Sequence, residues 1–278
     1  MSTNRELFFR YKKAGISEHV IYFALEQCNN FDHISLVEHF DDDIQDEIRF
    51  FDAMNRYLSG EMIEYIFHKS SFLGEEFYLN KNVLIPRQET EQLVLLAEKL
   101  IKDFFGKAKI TIADVCTGSG AIGLSLAKRF KDNKVILSDI SESALEVANK
   151  NKERMQLTNV ELLQGDMLDP FVKQELKSDV IVCNPPYIED VSSIDIKTWN
   201  QEPHLALLAN PSTFFYEKLL KEYKRVVNKK YLLCFEIGED MEEPLTELIK
   251  QHCPWCSFSF EKDIYNKTRF LLIKGENN

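Results

Sequence analysis

Asn184-Pro185-Pro186-Tyr187 follows directly on the apolar run Asp179-Val-Ile-Val-Cys183. A tetrapeptide of this kind, at the carboxyl end of a buried strand, is suited to hold a planar amino group for methylation. The nitrogen of an amide or nucleobase is a poor nucleophile, because its lone pair is delocalised into the neighbouring π-system. Two acceptors that bind its hydrogens, the Asn184 side-chain oxygen and the Pro185 carbonyl, would aim that lone pair. They would also favour the pyramidal nitrogen of the transition state. Pro185 and Pro186 restrict the backbone, so both acceptors are held in advance. Tyr187 offers a flat face to a planar target. The bland alternative is an ordinary Asn-Pro-Pro turn closing a strand. A second motif counts against it.

That motif is Ile110-Thr-Ile-Ala-Asp114-Val-Cys116-Thr117-Gly118-Ser119-Gly120-Ala121-Ile122-Gly123, a short apolar strand, a glycine-rich turn and the start of a helix over Ile122 to about Phe130. Nineteen residues beyond Gly120, the strand Lys134-Val-Ile-Leu-Ser-Asp139 ends in an acid. Together they form a nucleotide-binding βαβ pattern, in which glycines allow close backbone approach and the acid takes a ribose diol. Gly118, Gly120 and Gly123 satisfy G-x-G-x-x-G, so a dinucleotide is a competing ligand. Asp114, just before the turn, would repel a pyrophosphate and attract a cation. S-adenosylmethionine carries a sulfonium and an ammonium and no phosphate, so it is the favoured ligand.

The elements that must position these groups follow a regular order. Residues 1–70 show helical apolar spacing in Glu6-Leu-Phe-Phe-Arg-Tyr, Val20-Ile-Tyr-Phe-Ala-Leu and Ile34 to Phe40. The acidic run Asp41 to Glu47 marks a turn and a helix start, and a last helix follows Ser59-Gly60. The aromatics Phe8, Phe9, Tyr11, Tyr22 and Phe23 are most simply core. Residues 71–88 read as an extended linker or hairpin ending near Pro86. An amphipathic helix begins at Glu89, with Leu93, Leu96, Ala97 and Leu100 on one stripe. Strands near 110–115, 134–139, 159–164, 179–183 and 231–237 then alternate with helices over 89–278, an α/β pattern. Ser143-x-x-Glu146 resembles a capping box. The strands are apolar runs, as expected when helices cover both faces of a parallel sheet. Ligands of such sheets bind beyond the carboxyl ends of the strands, where Asp114, Asp139, Asp166 and Asn184 all fall.

With both motifs in place, the chain resembles the release factor glutamine methyltransferase family, class I S-adenosylmethionine-dependent enzymes. Further residues carry the resemblance: Phe72-Leu-Gly74-Glu-Glu-Phe77, Val83-Leu-Ile-Pro86-Arg87-Gln-Glu89-Thr90-Glu91, Glu202-Pro203-His-Leu-Ala-Leu and Glu236-Ile-Gly238. It implies a Rossmann-like, mainly parallel sheet whose antiparallel edge comes from Ser257–Glu261 and Arg269–Ile273. It also implies that the small helical N-terminal domain helps to dock the substrate, a peptide chain release factor methylated on the glutamine of its Gly-Gly-Gln tripeptide. Carried over, Cys116, Thr117, Gly118, Ser119 and Gly120 would cradle the methionine part of the cofactor. Asp139 would take the ribose hydroxyls, and Asp166 and Met167 would flank the adenine, with Asp114 and Asn184 bordering the same site. Asn184, Pro185, Pro186 and Tyr187 would hold the glutamine amide. The chain departs from the family pattern at Cys116, where a glycine is usual and a Cβ could crowd the methionine moiety. It departs again at Gln88, a proline in the family, and at Leu208-Ala209-Asn210, which lacks the usual glycines.

Composition bounds the alternatives. A chain of 278 residues with 44% hydrophobic and 28% charged residues is of the globular class. No apolar run approaches a membrane span and the first residues lack a secretory core, so a cytoplasmic location is expected, and a monomer is the simplest assembly. A formal charge of −11, from 34 basic and 45 acidic residues, weighs against a nucleic-acid substrate. The local cluster Lys221, Lys224, Arg225, Lys229 and Lys230 surrounds an expected helix end, which cations complement. Of six cysteines, Cys253-Pro-Trp-Cys256 alone has redox or zinc-site spacing; its position before a late strand, with no second pair, favours a structural role. Two alternatives stay open: a DNA or RNA amino-methyltransferase using the same Asn-Pro-Pro-Tyr element, and a non-catalytic nucleotide-binding module.

Overall fold

The computed structural model describes residues 2–276, which form two compact units, one through Lys69 and one from Ser70. The first is all-helical: α1 (Asn4–Lys13), α2 (Glu18–Asn29), α3 (His33–Glu38), α4 (Glu47–Leu58) and α5 (Ile63–Phe67). Thr3 and Glu6 close a capping box at the start of α1, and Asp46 caps α4 through the Arg49 amide. Leu7, Ile21, Leu25, Leu36, Phe50 and Met54 make its core. Phe8 joins that core, with Tyr11, Tyr22 and Phe23 partly buried against it. Phe9, expected inside, is half exposed and lies edge-on to Phe8. Consecutive helical residues point about 100° apart, so one member of the Phe8-Phe9 pair must face outward.

The hairpin expected within 71–88 begins two residues earlier, as β1 (Lys69–Phe72) and β2 (Glu75–Tyr78). It leads into α6 (Gln88–Phe105). The buried face of α6 is Thr90, Leu93, Val94, Ala97 and Ile101, so the expected stripe is rotated: Leu96 and Leu100 lie at its margin. An i, i+4 ladder from Leu93 through Ala97 to Ile101 keeps one face on the sheet.

Next come β3 (Thr111–Val115), α7 (Ala121–Arg129), β4 (Lys134–Asp139), α8 (Glu142–Arg154), β5 (Val160–Gln164), α9 (Asp169–Lys173), β6 (Ser178–Cys183), α10 (Ile196–Gln201) and α11 (Phe214–Glu222). The chain closes with β7 (Val227–Glu236), α12 (Glu242–His252), β8 (Ser257–Lys262) and β9 (Thr268–Glu276). The expected cap of α8 is corrected: Ser141, not Ser143, accepts the Ala144 amide. Asp139 receives the Ser141 amide at 3.0 Å, and this tight exit from β4 starts the helix two residues earlier than Ser143 would allow. Strand β7 begins four residues before the expected 231, because Lys230 and Tyr231 already pair with β9 and Val227 pairs with Ser178.

Seven strands lie in the order β5-β4-β3-β6-β7-β9-β8. Five are parallel; β9 runs antiparallel to β7 and β8 antiparallel to β9. The expected mainly parallel α/β sheet with an antiparallel edge is therefore present. Buried strand residues such as Ala113, Ile136, Ile181 and Leu233 form its core with Phe171, Tyr216 and Tyr231. The order reverses between β3 and β6: after β3 the chain builds outward to β5, then returns to build β6 and β7 on the other side. A crevice at the carboxyl ends of β3 and β6 follows from that reversal. No helix among the described residues is long and apolar enough to cross a membrane.

Candidate active site

Parallel pairing sets Val115 opposite Cys183. The next residue on each strand is therefore Cys116, opening the glycine-rich turn, and Asn184, opening the tetrapeptide. Both line one cleft of about 340 Å³, within the usual range for small-molecule sites. Thr117, Gly118, Ser119, Asp139, Asp166, Met167 and Pro186 line it too. Asp114, Gly120, Pro185 and Tyr187 do not. Leu84, Pro86 and Thr90 of the Val83–Glu91 motif and Leu205 of the Glu202–Leu207 motif also line the cleft, although the sequence assigned them no role in the site, and Phe215 was not singled out at all. They carry no chemical signature there, and only the fold brings them to the cleft.

Asp114 lies behind the turn rather than in the cleft. It is fully buried, accepting the Thr117 hydroxyl at 2.5 Å and the Gly123 amide at 2.8 Å. It thereby ties the turn to the first turn of α7 and occupies an N–H that a pyrophosphate would otherwise seek. A Cβ at Gly123 would come within 2.9 Å of Asp114 and 2.6 Å of Leu137, so this close approach needs glycine. Burial pushes the Asp114 carboxyl up to about 7, against the pull of its two hydrogen bonds.

Asp139, at the end of β4, receives the Gly118 amide at 2.9 Å, and burial raises its carboxyl as well. Gly118 sits at φ +54°, and a Cβ there would meet no protein atom within 4 Å. The backbone is thus presented bare to a ligand. Cys116 adopts φ +60° without being glycine, a conformation that costs about 1 kcal/mol. Its Sγ contacts Sδ of Met167, another residue of the cleft lining, at 3.5 Å. Met167 is itself left-handed at φ +51°, and Asp166 pairs with Lys218. Asn151 of α8, absent from the sequence-based candidates, donates to the Ser119 carbonyl at 2.9 Å and the Tyr78 carbonyl at 3.0 Å, locking the turn to β2.

On the other wall, Asn184 Nδ2 donates to Thr90 Oγ1 at 3.3 Å, and Thr90 donates to Glu236 at 2.7 Å. Tyr187 points its hydroxyl at the second Glu236 oxygen, 3.4 Å away, and burial raises its phenol. Arg87 forms a two-oxygen pair with the buried Glu202 at 2.8 and 2.7 Å, fastening the start of α6 to the loop after the tetrapeptide. Arg87→Ala removes the cation facing a fully buried carboxylate. We expect a loss of about 2–3 kcal/mol, below that for a wholly buried pair because Arg87 is partly exposed, read as a lower urea midpoint.

The two buried acids also set a pH dependence of stability. Burial lifts Asp114 and Glu236 to about 7, well above the unfolded carboxylate range near ~4. Between those values the folded chain binds more protons than the unfolded one. The stability they contribute is therefore complete below ~4 and is lost as pH rises through about 7. Paired urea titrations should show the Asp114→Asn, Glu236→Gln double variant losing less stability than wild type between pH 5 and pH 8.

The cleft fits a cationic nucleoside ligand. Its lining includes Asp139 and Asp166, and its one basic residue among those described, Arg87, is engaged by Glu202. A dinucleotide pyrophosphate would meet no available cation there.

Comparisons with known proteins agree with this geometry. The family model "Methyltransferase small domain" matches residues 93–200. Proteins named release factor glutamine methyltransferase are similar over most of the chain. That of Mycoplasma mycoides is 35% identical, covering 92% of this chain and 92% of its own. That of Bacillus subtilis is 35% identical over 82% and 80%, and that of Leptospira interrogans 38% over 75% and 73%. A methyltransferase from Pyrococcus furiosus shares the fold at a TM-score of 0.53 and 19% identity, covering 82% of this chain and 99% of its own. The hMettl16 catalytic domain, solved with an RNA hairpin, does so at 0.55 and 16%, covering 82% and 92%. With relatives of this identity matched over 73–92% of their own length, the chain belongs to the release factor glutamine methyltransferase family.

Proposed function

We propose that this enzyme transfers a methyl group from S-adenosylmethionine to the side-chain amide nitrogen of the glutamine in the Gly-Gly-Gln tripeptide of peptide chain release factors. The observation that carries the reading is the β3–β6 register, which sets Cys116 and Asn184 side by side over one cleft. Cys116 to Ser119, Asp139, Asp166 and Met167 would hold the cofactor, with Gly120 shaping the turn and Asp114 bracing it from beneath. When bound, the cofactor supplies an electrophilic methyl on a sulfonium.

The chain's own residues act on the acceptor. Asn184 Oδ1, at the cleft wall, accepts one amide hydrogen, and the carbonyl of Pro185, whose side chain lies outside the lining, would accept the other, which holds the amide plane and turns its lone pair toward the methyl side. Pro186 restricts the loop, and Tyr187 anchors it through Glu236. Leu205 and Phe215 add apolar surface to the cleft on the acceptor side. One held hydrogen leaves as a proton once the nitrogen is alkylated and its acidity has risen, so no strong base is required.

The helical unit docks the release factor. Its exposed Ile34, Val37, Ile48 and Leu58 give it apolar surface for a protein partner. A nucleic-acid acceptor is disfavoured by the −11 charge and by the engagement of Arg87, the one basic residue among the described residues of the cleft lining, with Glu202. Mass spectrometry of release factor incubated with enzyme and cofactor should find one added methyl on the tripeptide glutamine. Methyl found only on DNA or RNA supplied in parallel would overturn the assignment.

A further inference from the structure

We propose that Glu236 and Thr90 form a positioning relay that decides which edge of the Asn184 side-chain amide faces the acceptor. The proposal rests on the reading of Asn184 as an amide-holding residue. A carboxylate can only accept hydrogen bonds, so with Glu236 ionised the Thr90 hydroxyl spends its one hydrogen on Glu236, at 2.7 Å. The Thr90 oxygen can then only accept, and the atom it meets on Asn184 must be the Nδ2 amide, at 3.3 Å. The Asn184 oxygen is thereby left to receive a hydrogen of the incoming amide. Thr90 and Glu236 are 4% and 3% exposed, so water does not readily compete for these bonds.

A proton on Glu236 reverses the order. The carboxylic acid donates to Thr90, Thr90 donates to the Asn184 oxygen, and the Asn184 amide turns outward. It then presents hydrogens to a group that also presents hydrogens. The groups facing Glu236 come from each neighbouring element. They are Thr90 and Glu89 of α6, Tyr187 of the tetrapeptide, Arg269 of β9, and Tyr216 of α11, whose hydroxyl donates to the Glu236 carbonyl at 2.7 Å. Burial, reinforced by Glu89, outweighs Arg269 and the two hydroxyls and lifts Glu236 to about 7. The exchange of donor and acceptor therefore falls in the working range of pH.

The experiment measures kcat for methylation of intact release factor from pH 6 to 8.5, at saturating cofactor so that any effect of Asp114 on cofactor affinity is not read. Wild type should lose kcat as pH falls through about 7, whereas Glu236→Gln, which cannot titrate, should give a flat profile. Thr90→Val should lower kcat about tenfold, the effect of one lost orienting hydrogen bond, and leave cofactor affinity by calorimetry within about twofold. Thr90→Ser should restore kcat to within about threefold, because it keeps the hydroxyl. Wild-type kcat in Thr90→Val, or an unchanged acid limb in Glu236→Gln, overturns the relay. Full activity in Asn184→Ala would instead overturn the amide-holding role itself, so the two failures are distinguishable.

Discussion

Replacing Asn184 with alanine should lower turnover by about 10²–10³-fold, the cost of removing one preorganised group that acts on the reacting centre. On the proposed reading the side chain supplies one of two acceptors for the amide hydrogens, and the Pro185 carbonyl could not replace it, because a single acceptor would leave the amide free to rotate about that bond. The loss belongs in kcat. Asn184 stands on the β6 side of the crevice, while the glycine turn and Asp139 belong to β3 and β4. Cofactor affinity measured by calorimetry should therefore stay close to wild type. Near-normal methyl transfer by the variant would remove the amide-orienting mechanism.

Asp139→Ala acts on the opposite half of the site, and its effect should appear as affinity. The carboxylate lines the cleft at the end of β4 and receives the Gly118 amide at 2.9 Å and the Ser141 amide at 3.0 Å. Alanine removes the acceptor proposed for the ribose hydroxyls and releases the Gly118 amide that Asp139 holds. Charge-assisted hydrogen bonds contribute about 1.5–3 kcal/mol each, so cofactor affinity should fall by roughly 10–150-fold. Asp139→Asn, which keeps an acceptor but not the charge, should fall between alanine and wild type. Unchanged affinity in the alanine variant would show that the ribose is held elsewhere. Because the two variants separate affinity from turnover, they also divide the cleft into its two halves.

Local signals in the chain were enough for the α/β alternation, the glycine turn, the acid ending β4 and the tetrapeptide ending β6. Each depends on residues within a few positions of one another: an apolar run, a turn former and a polar residue at the strand's end. Boundaries that depend on a neighbour were less legible. Strand β7 begins at Val227 because β6 and β9 offer it partners. Ser141 caps α8 because Asp139 turns the chain tightly there.

Asp114 illustrates the limit most clearly. Its place at a strand end was readable, but its direction was not. Side chains alternate along a strand, and the contacts with Thr117 and Gly123 put this one beneath the turn as a brace. Thr90 and Glu236 are separated by 146 residues, and neither bears a mark of function alone. Their link to Asn184 exists only because α6 packs where β6 and β7 end. The kinds of residue and their order along the chain thus announced the chemistry. Which strand lies beside which, and toward which face each side chain turns, were decided by the folded sheet, because hydrogen-bonded register is a relation between distant segments that no local run of residues contains.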